Sequence, residues 1–69
     1  MDYIVCGIAE GERDKYWTGL MLSTWPEYLS SRSLALKIDL VTARRAAVHF
    51  NERFGADALI RWHAVLIRV

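Results

Sequence analysis

Cys6, His49 and His63 are the residues of this 69-residue chain best suited to nucleophilic chemistry, since an imidazole can take a thiol's proton and leave a reactive thiolate. Their setting argues against it. Cys6 lies within the apolar run Tyr3-Ile4-Val5-Cys6-Gly7-Ile8-Ala9, where a free cysteine ordinarily behaves as a small inert hydrophobe. One thiol and two histidines give no zinc spacing, and Glu10, Glu12 and Asp14, interrupted by Arg13, do not match a calcium loop. There is no phosphate-cradling glycine loop and no paired-carboxylate motif. The expectation is a protein that is not an enzyme, with no catalytic residue, no metal site and no cofactor.

Three other groups of residues are suited to binding. Arg45, His49 and Arg53 recur every four positions, with Arg44 adjoining, so on a helix they form one cationic stripe able to meet phosphates or an acidic protein surface. The ordinary alternative is a solvated helix face, and a sequence pI near 7.9 is low for a dedicated nucleic-acid binder. Glu10, Glu12 and Asp14 form an acidic contact or phosphate mimic, or simply a solubilising turn. Trp17, Trp25, Trp62, Tyr3, Tyr16 and Tyr28 are many large rings for one small core, each burying about 150–250 Å². Trp62 shares a strand face with Ile60 and Leu66 and belongs in the core. Trp25 and Tyr28 flank Pro26 and are expected as aromatic anchors at an interface.

The elements that position these groups follow from periodicity. Residues Asp2 to Ala9 are apolar on both faces and read as an interior strand. The charged stretch Glu10 to Lys15 is a turn, and Tyr16 to Trp25 resumes strand character, which together make a hairpin. Pro26 lacks an amide hydrogen and is expected to end that strand. Glu27 to Ser33 then form a connection with room for one helical turn, and Leu34 to Ile38 a short third strand. Asp39 is a good N-cap for a helix over Leu40 to Phe54, whose Leu40, Ala43, Ala47, Phe50 and Phe54 recur at spacings of three and four. Gly55 is placed as its C-cap, Ala56-Asp57 as a turn, and Leu59 to Val69 as the last strand. The expected fold is one α+β domain over residues 1–69, a small antiparallel sheet of three to four strands against one main helix, in the order β-β-β-α-β.

Composition agrees with a folded chain: 54% of residues are hydrophobic and 25% charged. The first thirty residues set Arg13 and Lys15 against Asp2, Glu10, Glu12, Asp14 and Glu27, a net −3, whereas residues 31–69 hold seven basic and three acidic residues, a net +4. The overall +1 conceals this asymmetry. The opening residues lack the basic region and apolar run of a signal peptide, and no apolar stretch approaches the roughly 20 residues that span a bilayer, so a cytoplasmic protein with no membrane contact is expected. A single core of this size supplies only about 3–5 kcal/mol, and the lone cysteine excludes an internal disulfide. Support from a homodimer or another partner is therefore expected.

The order of Tyr3-Ile4-Val5, Tyr16-Trp17-Thr18-Gly19, Trp25, Ala35-Leu36-Lys37-Ile38, Asp39 and the pair Ala43 and Ala47 resembles small proteins of bacteriophages and other mobile elements. In those, an opening strand, a Tyr-Trp-x-Gly strand, a loop Trp and an Ala-x-x-aromatic-or-aliphatic step precede a capped helix with paired alanines and a closing strand. Some are anti-CRISPR inhibitors that block a host nuclease complex. The resemblance implies an α+β binding protein acting in a host cytoplasm on a host nuclease or regulatory complex, and it assigns a role to no single residue. The expected function is thus a non-catalytic protein-binding module, with nucleic-acid binding through the basic helix face as the alternative.

Overall fold

The computed structural model describes residues 2–22 and 25–67, with the side chains of 54–58 outside the description. It is an α+β fold, with strands β1 (Tyr3–Ile8), β2 (Lys15–Leu22) and β3 (Trp25–Leu29), a single 3-10 turn (Arg32–Leu34), helix α1 (Leu40–Ala58) and strand β4 (Arg61–Leu66). The four strands form one antiparallel sheet in the order β3-β2-β1-β4, so the most apolar strand is central, as its two apolar faces require.

Helix α1 lies on the face of the sheet that carries Val5. Ala43 and Ala47 are buried there and let the helix backbone approach, while Phe50, Ile60 and Trp62 fill the space between the layers. Gly7 is part of the same fit. A Cβ at Gly7 would stand 2.7 Å from Ile60 Cγ2 and 2.9 Å from Trp62 Cζ3. On the other face of β1, Ile4 and Cys6 are also buried.

Three expectations are corrected. Pro26 does not end a strand but lies within β3, where it pairs with Met21. β3 is an edge strand, and there a proline can sit with its missing N–H on the outward side. The third strand is therefore Trp25–Leu29, not Leu34 to Ile38. The latter segment is instead a wedge. β2 pairs with β1 only at Tyr16 and Lys15, and Gly19, at φ 96°, together with an irregularity between Trp17 and Met21, turns β2 away. Into the opening come Leu36, whose N–H donates to the Trp17 carbonyl at 3.0 Å, and Ile38, which exchanges both backbone bonds with Tyr3 at 2.7 and 2.9 Å. The helix does not stop at Gly55. It runs through Ala56 and Asp57 to Ala58, and Leu59 adopts the left-handed C-cap conformation, φ 57°, with an 82% exposed side chain. The extra turn carries the chain to the point where Ile60 and Trp62 enter the core, which outweighs the cost of glycine in a helix, about 1 kcal/mol. Phe54, expected on the core face, lies outside the described side chains, as do Arg68 and Val69 of the expected last strand.

At the other end of α1 the expected cap is present. The Asp39 carboxylate accepts the Thr42 hydroxyl and, at 3.2 Å, the Thr42 N–H, and these bonds, the hydroxyl's first, hold the Asp39 pKa below the usual carboxylate value.

Candidate functional site

Register decides where the candidate residues fall. Cys6 lies directly across from His63 in the β1–β4 ladder, the neighbour a thiol nucleophile would need. The thiol is nevertheless pushed up from its usual pKa of 9.0, first by burial and then by the Asp14 carboxylate, with Arg32 acting in the opposite direction. A nucleophilic cysteine requires the reverse. Among the described residues no group of His, Cys, Asp and Glu is placed to hold a metal ion.

Trp25 and Tyr28 are half-buried and packed against the core, because they belong to β3 and not to a loop. Four rings form a chain of edge-on contacts across the helix–sheet interface: Trp17 to Phe50 at 5.1 Å, Phe50 to Trp62 at 5.4 Å, and Trp62 to Tyr28 at 6.0 Å. The Lys15 ammonium sits 5.6 Å from the Tyr28 ring centroid. The edge-on ring pairs add about 0.5–1.5 kcal/mol each beyond buried area. They use the contact area that Tyr28 was expected to give a partner.

Glu10, Glu12 and Asp14 are all exposed in the β1–β2 turn. Gly11 takes φ 78° there, the Glu12 N–H bonds the Ala9 carbonyl, and Lys15 Nζ stands 3.5 Å from Glu12 Oε1. One of the three carboxylates is thus already partly neutralised.

The basic stripe lies as expected on the solvent side of α1. Arg44, Arg45, His49 and Arg53 are exposed, and among the described residues none of the arginines forms an ion pair. The structure adds an apolar component the stripe alone did not suggest. Val41 and Val48 are 57% and 54% exposed on the same side of the helix. Arg44, Arg45, Val48, His49 and Glu52 line a shallow depression of about 360 Å³, and His49, Glu52 and Arg53 line a second of about 220 Å³ beside it. The spacing of Val41 and Val48, seven apart on a helix whose core positions are already assigned, was the signal in the sequence.

A second feature concerns Asn51. Its side-chain amide pairs with the backbone of Trp62, Nδ2 donating to the Trp62 carbonyl at 2.9 Å and Oδ1 accepting the Trp62 N–H at 2.7 Å. It thereby does at one position what a neighbouring strand would do. Position 51 is four residues after Ala47 on the flank of the apolar stripe, and a polar amide there was the clue.

No protein family, curated protein or solved structure matches this chain. Among the described residues no helix is long and apolar enough to cross a membrane.

Proposed function

We propose that this protein is a non-catalytic protein-binding module that presents the outer face of α1 to an acidic, partly apolar surface. The observation that carries the reading is the depression bounded by Arg44, Arg45, Val48 and His49, with Val41 exposed on the same side. Arginine is enriched among interface hot spots, and Val41 and Val48 set exposed apolar area beside Arg44 and Arg45 for a partner to cover. The resemblance to mobile-element proteins supports a host nuclease or regulatory complex in the host cytoplasm as the class of partner.

Nucleic-acid binding is the second reading, favoured by three arginines that form no ion pair among the described residues. A phosphate backbone would leave the exposed Val41 and Val48 uncovered, which a partly apolar protein surface would not. Affinity capture from a bacterial lysate, run with the wild-type chain and with the Arg45→Glu/Val48→Glu double variant, tests the first reading. A partner held by the wild type and lost by the variant, with circular dichroism unchanged, is the expected result. Equal retention by both refutes it. A mobility shift with short duplex DNA that weakens steeply with salt transfers the face to the second reading.

A further inference from the structure

The bonds of Asn51 reveal which way the edge of β4 faces. Because the Trp62 N–H and carbonyl are held by Asn51, they point away from β1, and the Ile67 N–H, which donates to the Asp2 carbonyl at 2.9 Å, points toward it. Alternation along a strand then puts the N–H and carbonyl of Ala64 and Leu66 on the outward side with Trp62. Among the described residues nothing bonds them. The opposite edge of the sheet differs. The Trp17 carbonyl is turned toward Leu36, so Tyr16 and Leu29 face each other and Pro26 falls at an outward position of β3, where it has no hydrogen to donate. One sheet edge is thus interrupted by a proline, and the other is closed at Trp62 and open at the next two outward positions.

We propose that this open stretch of β4 pairs antiparallel with the same stretch of a second copy, about a two-fold axis at Val65. The occupant follows from the register. Two outward residues two positions apart are self-complementary: Ala64 faces Leu66 of the second copy and Leu66 faces its Ala64, giving four backbone hydrogen bonds and setting a small side chain against a large one on each side. Charge permits it. With about 3.4 Å per residue, the two His63 rings lie roughly 14 Å apart and the two Arg61 side chains roughly 27 Å apart, beyond the screening length at physiological salt. The segment that meets is the uncharged Ala64-Val65-Leu66, and all three residues are half-buried in the single chain. The contact is short, so the dimer is weak.

Sedimentation equilibrium from about 10 μM to about 1 mM, the range in which so small a contact populates, measures the assembly. Amide exchange by NMR at both ends of the range locates it. The mass is expected to rise from 8.0 kDa toward twice that value. The Ala64 and Leu66 amides should exchange about five-fold more slowly when about four-fifths of the chains are paired, because exchange then proceeds only from the monomer. The His63 and Val65 amides, bonded to β1, should not change. Ala64→Pro removes the outward hydrogen without touching the ladder to β1 and should leave a monomer; the exchange of the wild type decides the matter should that variant not fold. A constant 8.0 kDa across the range overturns the proposal, as does a dimer in which the Ala64 and Leu66 amides exchange at the monomer's rate.

Discussion

Replacing Asn51 with alanine tests whether its amide closes the outer edge of β4 at Trp62. The substitution keeps a good helix former on α1 and removes both bonds to Trp62, at 2.9 and 2.7 Å. Two hydrogen bonds at a net of about 1 kcal/mol each give about 2 kcal/mol. The Trp62 side chain is only 2% exposed, which limits the water that can replace the amide, and a buried group left without a partner costs about 1–3 kcal/mol. The expected loss is therefore about 2–4 kcal/mol, most of the roughly 3–5 kcal/mol a single core of this size supplies. At about 4–8 °C per kcal/mol, the melting temperature should fall by roughly 10–30 °C. Urea unfolding followed by tryptophan fluorescence reads the free energy directly. Asn51→Asp separates the two bonds. Its carboxylate still accepts the Trp62 N–H but opposes the Trp62 carbonyl, and only the protonated acid can donate to that oxygen. The folded-state pKa of the new acid then lies above its unfolded value of about 3.9. Relative to wild type the deficit is full above the folded pKa and shrinks as pH falls through it. An alanine variant within about 0.5 kcal/mol of wild type would refute the edge-capping account, as would an aspartate variant whose deficit is the same at pH 3 and pH 7.

Gly7→Ala should destabilise the fold by about 1–3 kcal/mol through overpacking, since its Cβ meets Ile60 and Trp62 inside the core; urea midpoints measure this, and an unchanged midpoint contradicts the packing described. The Asp39 cap should make part of the stability pH-dependent. Its folded pKa is lowered by the Thr42 bonds, so the contribution is present above the unfolded carboxylate value and disappears as pH falls through the folded one. Comparing wild type with Asp39→Asn, which caps without ionising, isolates the effect: the two curves should converge toward low pH, and parallel curves refute it.

Elements defined by their own residues were legible in the sequence. β1 announces itself by apolar residues on both pleat faces, and α1 by Ala43, Ala47 and Phe50 behind an Asp39 cap. What was not legible depends on neighbours far along the chain. Pro26 reads as a terminator until β3 is known to be an edge, and with that error Trp25 and Tyr28 read as loop residues available to a partner. Leu34 to Ile38 has the composition of a strand, but only the departure of β2 at Gly19 makes room for it as a wedge. The end of α1 was set by where Ile60 and Trp62 must enter the core, not by Gly55. The cationic residues of the candidate site were visible from spacing alone, whereas the exposed valines beside them required the core face to be fixed first.

The pairing of β1 with β4 also sets a timetable for synthesis. Tyr3 pairs with Leu66 and Ile8 with Arg61, so the central strand is made before the other described elements and finds its partner on one side only in the last of them. At roughly 5–20 residues per second, several seconds separate the two segments, and during them Ile4 and Val5 have no completed sheet to enter. Closure of so long a loop also slows folding relative to local pairing. The hairpin of β2 and β3 and the helix can form from local contacts in that interval, leaving the β1–β4 ladder as the late step that turns a collapsed nascent chain into the native sheet.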